Sequence, residues 1–246
     1  MKKSIIRIVT IIFLLLVVGI ILYSLVRPCE FETHEYEIKE NYKDIKIVTD
    51  TADIQFILSE KPNTFIVCEE EKNANHSVMV KENTLRIEVN DNKKWYEDIG
   101  INLRAPKITV YLGKSEYGNI SLKTDIGNIL LDNIIVTGKI AIETYTGNVK
   151  FEECDASEVF IETDTGNVTG SFVTDKVVFA ESDTGNIDIP KVIADEKWEI
   201  ITETGNIKIT IDKYWFLIKF QFVEPNSTYI LKGARLKYTL LPLIFY

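Results

Sequence analysis

The chain has 246 residues, of which 46% are hydrophobic and 26% charged, so a packed core is expected and wholesale disorder is excluded. The formal net charge is −9. The first 27 residues hold four cations and no acid, which leaves 24 basic against 37 acidic residues in the remainder. A body this acidic repels phosphate backbones and argues against nucleic-acid binding. Only two histidines are present, His34 and His76, which removes most histidine-based catalysis and metal chemistry.

A hydrophobic run near the N-terminus predicts a membrane anchor. Ile8 to Val26 are 19 consecutive uncharged residues, which at about 1.5 Å per residue match a hydrocarbon layer of roughly 30 Å. A cleaved signal peptide is the alternative, but its apolar core is shorter and ends in small residues. Cations precede the run and acids follow it, so the positive-inside rule places the N-terminus in the cytoplasm. We therefore expect a single-pass cell-membrane protein whose C-terminal domain is extracytoplasmic.

Three cysteines are present: Cys29, Cys68 and Cys154. Cys29 follows the hydrophobic run, but lipidation requires small residues directly before the cysteine, where this chain has Val26, Arg27 and Pro28. Three cysteines are too few for a disulfide scaffold. One bridge is possible, and the spacing leaves open which cysteines would pair.

An internal repeat dominates the second half of the chain. A glycine followed by asparagine and then by Ile or Val recurs every 19 or 20 residues: Gly127-Asn128, Gly147-Asn148, Gly166-Asn167, Gly185-Asn186 and Gly205-Asn206. A unit this short cannot bury its own apolar face, whereas stacked units can. The expected fold is therefore all-β, a β-solenoid of stacked 19–20-residue coils preceded by one N-terminal transmembrane helix.

The period of two within each repeat predicts which side chains point inward. Positions −7 and −5 from the glycine are apolar, and positions −3 and −1 are mostly threonine; we expect all four on the inner face. Positions −4 and −2 carry charge and are expected outside. The glycine is expected to supply a positive φ at a sharp corner, and the asparagine to bond the turn backbone, so these ten residues form a structural corner ladder.

A fainter copy of the repeat lies upstream, where Ala52-Asp53 replaces Gly-Asn after Thr49 and Thr51. The alternation continues through 65–68, 85–89 and 108–112, with polar loops expected at Glu69–His76 and Asn90–Gly100. His34 and His76 lie in polar segments and are expected to be surface residues. The predicted organisation is a stub and anchor at 1–27, a linker at 28–35, an irregular first half at 36–112, regular repeats at 113–210, and capping strands with an apolar tail at 211–246.

These motifs resemble the β-strand-repeat "putative adhesin" family, a domain of unknown function that includes LiaG-like membrane-anchored envelope proteins. The likeness rests on the Thr-x-Thr-Gly-Asn-Ile/Val repeats, the degenerate opening at residues 49–54 and the anchor, and it covers roughly residues 36–210. The resemblance implies an adhesin-like role in the cell envelope and no catalytic residues.

The outward acids are the only candidates for site chemistry in the repeats. Glu143, Glu162 and Glu181 form one row, and Asp164, Asp183 and Glu203 form another. The second row is a candidate calcium site because calcium prefers several oxygen ligands, although Tyr145 interrupts the row and the glycine-rich calcium-binding repeat is absent. We expect no catalytic residue, no cofactor and no other metal site.

Two functional classes remain. The first is a non-enzymatic, adhesin-like protein whose solenoid surface binds cell-wall polymer or an envelope or membrane protein. The second is an accessory or regulatory ectodomain of an envelope-stress response. An enzyme acting on wall polysaccharide is a lesser alternative, since paired carboxylates suit glycoside hydrolysis.

Overall fold

The computed structural model of the chain describes residues 10–19, 31–72, 74–91, 105–114, 116–189, 197–211, 228–232 and 235–240. Residues 10–19 are helical (α1). Within these ranges no helix is both long enough and apolar enough to span a bilayer. Part of the predicted anchor at residues 8–26 lies outside the described residues, so the anchor stays a prediction. Cys29 lies outside them as well.

The rest of the described chain is β-structure, which confirms the all-β prediction. The strands are β1 (Phe31–Ile38), β2 (Asp44–Thr51), β3 (Asp53–Leu58), β4 (Thr64–Glu71), β5 (Ala74–Lys81), β6 (Thr84–Asp91), β7 (Lys107–Leu112), β8 (Glu116–Tyr117), β9 (Ile120–Ile126), β10 (Ile129–Asp132), β11 (Ile135–Thr146), β12 (Val149–Thr165), β13 (Val168–Thr184), β14 (Ile187–Ile189), β15 (Lys197–Thr204), β16 (Asn206–Ile211), β17 (Thr228–Lys232) and β18 (Arg235–Leu240).

Successive repeats, here called coils, stack in parallel with matching register. On the face that leads into each Gly-Asn corner, Ile140 lies between Ile120 and Val159. On the face that leaves the corner, Val149 lies between Ile129 and Val168. Like residues of neighbouring coils therefore lie directly above one another, and each coil buries the apolar side chains of the next.

Within the described residues, the strand pairings also close a ring of ten strands rather than leaving an open stack. The ring runs through β4, β5, β6, β2, β9, β11, β12, β10, β3 and β7. The ring closes for two reasons. The long strand β12 pairs with β11 on the face that leads into the corner and with β10 on the face that leaves it. At the other side of the ring, the antiparallel strands β4 and β5 join the two faces through a tight turn. The predicted solenoid is therefore corrected: the ring joins strands of the irregular first half to β9, β10, β11 and β12 of the regular repeats.

The core follows the predicted inward columns with one exception. Positions −7, −5 and −3 are buried wherever their side chains are described; Ile142, Ile161 and Thr163, for example, are at most 3% exposed. The −1 residues are exposed, contrary to the prediction: Ile126, Thr146, Thr165, Thr184 and Thr204. Since the −2 residues next to them lie at the surface as well, the alternation ends one residue before the glycine, where the chain begins to turn.

The corner glycines are required for a different reason from the one predicted. None of the five has a positive φ; Gly170, elsewhere in β13, is the described glycine that does, at φ 115°. A Cβ on Gly166 would instead lie 1.9 Å from the carbonyl oxygen of Gly147 in the adjacent coil, and each of the other four would meet a corner oxygen at 1.8 or 1.9 Å. Glycine is needed because one backbone approaches another too closely for any side chain.

The segment Glu69–His76 is not the polar loop that was predicted. It contains the end of β4, a turn and the start of β5. The other predicted loop lies mostly outside the described residues. At the far end, β17 and β18 pair in parallel with β15 and β16 and so extend both faces by one strand. The rest of the predicted capping segment at 211–246, including its apolar tail, lies outside the described residues.

Candidate functional site

Both histidines of the chain meet at one buried carboxylate. Glu70 is fully buried, and its Oε1 lies 2.8 Å from Nδ1 of His34. Its Oε2 lies 2.6 Å from Nδ1 of His76 and accepts the backbone N–H of His76 at 2.7 Å. His76 is only 4% exposed, so the expectation that it is a surface residue is wrong. The side chain of His34 is 40% exposed and covers the outer edge of the cluster.

The alternation of β4 and β5 places these side chains inside. Thr64, Ile66, Cys68 and Glu70 occupy every second position of β4 and are all buried, so Glu70 is the inward member of an acidic run. On β5, His76 pairs with Val89, just as Val78 pairs with Ile87 on the same face. Extending the period of two from Ile66 and Cys68 by one step would have found Glu70. The run of three glutamates concealed it, because such a run is typical of a loop.

Thr49, on β2, is the last member of the cluster. Its Oγ1 lies 2.9 Å from Nε2 of His76. Thr49 is the first member of the −3 column, and every later member of that column donates its hydroxyl to a corner carbonyl of the adjacent coil, as Thr163 does to Gly147 at 3.2 Å. The hydroxyl of Thr49 is bonded to the imidazole instead, which satisfies a buried polar group at this end of the column.

Cys68 lies beside this pair, buried and free of any disulfide. Burial, and after it the charge of Glu70, raises the pKa of the Cys68 thiol to about 12. Ligand atoms of Cys68, Glu70 and His76 all lie within 4.8 Å of one another. Among the residues that the structure describes, this is the one group of three or more such side chains close enough to share a metal ion.

The predicted corner ladder is a continuous chain of hydrogen bonds. Each asparagine side-chain oxygen accepts both the backbone N–H and the side-chain N–H of the next asparagine: from Asn128 to Asn148, Asn167, Asn186 and Asn206, at 2.8–3.1 Å. Asp53 starts the ladder, because its Oδ1 accepts the same two groups of Asn128. The first position only accepts, which is why a carboxylate can stand there.

The candidate calcium residues Asp164, Asp183 and Glu203 are all exposed on one face. The register places Asp164 beside Asp183, because the flanking pairs Thr163–Ser182 and Thr165–Thr184 are aligned. In the described chain, however, these acids are not among the side chains close enough to share a metal ion.

The outer face of the coils that carries these acids, here called the acidic face, combines carboxylates with aromatic rings. The pKa of Glu181 is raised by partial burial and then by the charges of four neighbours: Glu162, Asp183, Glu199 and Glu203. Phe160 and Phe179 stack nearby with ring centroids 6.2 Å apart, and Nζ of Lys139 lies 3.7 Å from the Phe160 centroid. Towards the first coils the charge is balanced, since Lys123 pairs with Glu143.

A small cavity beside Tyr42 and Tyr117 was not anticipated from the sequence. Its volume is about 60 Å³, and the two rings that line it stack at 5.8 Å. Ligand pockets for small molecules are typically about 300–1,000 Å³, so this cavity is too small to be one. Burial raises the pKa of the Tyr42 phenol, which stays neutral and bonds to Thr64 at 2.5 Å.

Parallel stacked coils with a polar corner ladder and an acidic outer face define a β-strand-repeat protein. The chain belongs to the Toastrack family, DUF4097, whose family model matches residues 42–214. This confirms the resemblance inferred from the repeats. No curated protein has significant sequence similarity to the chain.

Several solved structures resemble the fold. One is described as a "putative adhesin" from Bacteroides fragilis, with 17% identity, 86% of this chain and 95% of that chain covered, and a TM-score of 0.41. Another is described as a "putative cell adhesion protein" from Clostridium sporogenes, with 13% identity, 75% and 100% covered, and a TM-score of 0.47. A third, a "putative adhesin" from Parabacteroides distasonis, has 10% identity, 86% and 98% covered, and a TM-score of 0.38. Likeness at this level carries no argument about what the chain binds.

Proposed function

We propose that this chain is a non-enzymatic, adhesin-like protein of the cell envelope, anchored by residues 8–26, whose repeats form a β-solenoid that presents the acidic face outside the cell. The observation that carries the proposal is the crowding of carboxylates on that face. Partial burial and then the charges of the neighbouring acids raise the pKa of Glu181 there. Like charges this close gain stability when an opposite charge binds among them.

The partner best suited to this surface is a polymer of the cell wall that bears amino groups. Ammonium groups match the carboxylates of Glu181, Asp183 and Glu203, and the stacked rings of Phe160 and Phe179 offer an apolar platform for a sugar ring. The partner can lie along the face, because the acids recur at the spacing of the coils, about 4.8 Å per coil.

Two observations support a binding role rather than catalysis. The cavity beside Tyr42 is too small for a substrate. The cluster of Cys68, Glu70 and His76 is buried, so it offers no room for a polymer substrate.

Co-sedimentation of the full chain in detergent with two insoluble glucosamine polymers tests the proposal. One polymer is N-acetylated and neutral, and the other is deacetylated and cationic. We expect binding to the cationic polymer, weakened by salt because surface charges are screened. The variant Asp164→Asn, Asp183→Asn, Glu203→Gln should bind several-fold more weakly.

The matched control removes the same number of charges from other strands and loops, as Glu60→Gln, Glu82→Gln and Glu116→Gln, and should bind as the wild type does. Equal binding to both polymers, or undiminished binding by the acidic-face variant, would show that this surface is not the binding site.

A further inference from the structure

The buried cluster of Cys68, Glu70 and His76 combines a thiol, a carboxylate and an imidazole. The hydrogen bonds of the cluster do not require the thiol. We propose that Cys68, Glu70 and His76 bind a thiophilic divalent cation of the zinc type, with Sγ of Cys68, an oxygen of Glu70 and Nδ1 of His76 as the three protein ligands. The proposal is independent of the acidic face and of what that face binds.

The distances fit an ion after a small adjustment. Zinc binds sulfur at about 2.3 Å and nitrogen or oxygen at about 2.0–2.2 Å, so the ligand atoms of a tetrahedral site lie roughly 3.3–3.8 Å apart. The three ligand atoms here already lie within 4.8 Å of one another. Nδ1 of His76 and Oε2 of Glu70 are 2.6 Å apart, so they need to separate by only about 1 Å to admit the ion.

Other common divalent metals match this set of donor atoms less well. Calcium and magnesium prefer oxygen ligands, whereas a thiolate, an imidazole and a carboxylate together are typical of zinc. Three protein ligands leave a fourth position for water. The side chain of His34, which contacts the outer oxygen of Glu70, is 40% exposed, so movement of this one side chain would open a path for an ion and a water.

The charge balance favours a cation at this place. Glu70 is fully buried, and burying a carboxylate is costly unless a positive group compensates it. A divalent ion, one thiolate, one carboxylate and one neutral imidazole sum to zero. Cysteine binds such an ion as the thiolate, so binding at Cys68 releases the thiol proton to the solvent.

Neighbouring groups hold each ligand in place. His34 fixes the other oxygen of Glu70 at 2.8 Å, and Thr49 holds Nε2 of His76 at 2.9 Å. The second bond orients the imidazole so that Nδ1 faces Glu70. Partners of this kind, which orient metal ligands without touching the ion, typically contribute 10–100-fold to metal affinity.

Cobalt(II) is the most direct probe, because it replaces zinc and its bond to a thiolate absorbs in the near ultraviolet. We would use the full chain in detergent with Cys29→Ser and Cys154→Ser, so that Cys68 is the one remaining thiol and the proposed ligands are untouched. We expect a saturable thiolate–cobalt band at one ion per chain, displaced by zinc, and a zinc-dependent rise in the melting temperature.

Three variants sharpen the test. Cys68→Ser in the same background should abolish the band, and His34→Gln should weaken cobalt binding roughly 10–100-fold while keeping the band at saturation. Restoring Cys154 should change nothing, because among the described residues that buried thiol is not part of any group of three or more possible metal ligands.

The absence of a thiolate–cobalt band in the folded Cys29→Ser, Cys154→Ser protein would overturn the proposal, and so would a band that survives Cys68→Ser. In either case the cluster would be a hydrogen-bonded core network only. The decisive measurement leaves all three ligands intact, so it does not depend on whether Cys68→Ser folds.

Discussion

At each corner of the stack, glycine carries a hydrogen atom where any other residue would carry a Cβ. This leaves room for the backbone of the adjacent coil. The Cβ that any other residue would add to Gly166 falls 1.9 Å from a backbone oxygen, and a backbone cannot rotate out of the way. The glycine column was visible in the sequence, but its cause was not. A recurring glycine indicates either a positive φ or a close approach, and only the neighbouring coil decides between them.

Gly166→Ala should therefore destabilise the protein by about 3 kcal/mol, the upper end of what overpacking costs. Gly166→Asn should be no better, although asparagine tolerates a positive φ, because it also carries a Cβ. Urea denaturation of the full chain in detergent measures both.

Thr165→Ala is the control for Gly166, since Thr165 is the exposed −1 neighbour and its replacement should change stability by no more than about 0.5 kcal/mol. A clear advantage of asparagine over alanine at position 166 would restore the positive-φ explanation.

At the scale of the element, the corner ladder has a direction. Each asparagine donates to the coil before it and accepts from the coil after it, as Asn167 donates to Asn148 and accepts from Asn186. Asp53 has no such donor group and needs none, because it stands first. The exchange of Asn for Asp at the degenerate repeat is thus explained by hydrogen-bond direction rather than by loss of the motif.

This direction predicts that exchanging an amide and a carboxylate costs more stability at position 167 than at position 53. Asn167→Asp removes one donor and sets a carboxylate against the Asn148 oxygen, which should cost about 1–3 kcal/mol. Asp53→Asn keeps its accepting oxygen and should cost less than about 1 kcal/mol, mainly because the bonds to Asn128 lose their charge. Melting temperatures of the two variants give the comparison, and equal losses would contradict a directional ladder.

The regular strands could be predicted from the sequence because stacked coils repeat the same pattern five times. The segment from β4 to β5 could not, because it occurs once and its inward residues are polar. Glu70 and His76 can occupy core positions because they bond to each other and to His34 and Thr49, and these partners come from different strands. The −1 threonines were misplaced for another reason: a strict alternation takes no account of where a strand begins to turn.

At the scale of the whole molecule, the cysteines are distributed unevenly. Cys68 and Cys154 are buried in the β domain, and burial raises their thiol pKa values to about 12 and about 11. A protonated thiol in the core does not react with a polar reagent. Cys29, which follows the predicted anchor, is the remaining cysteine and therefore reports the side of the membrane on which the chain emerges.

We expect a membrane-impermeant maleimide to label the protein in intact cells, because the anchor predicts that residues after 27 are outside. Cys29→Ser should abolish this labelling, and denaturation should expose two further thiols. Labelling that requires lysis of the cells would show that the orientation is reversed, and a mature protein that begins after residue 27 would show that the anchor is cleaved.

The coils between the two ends of the ladder share the same contacts at their corners. Asn148, Asn167 and Asn186 each have the same neighbours above and below, and each corner glycine faces the same oxygen of the coil before it. Removing or duplicating one such unit would restore the same corner contacts and change the height of the stack by about 4.8 Å. The reach of the domain is therefore an adjustable property, set by the number of units, while the cluster around Glu70 at the other end stays as it is.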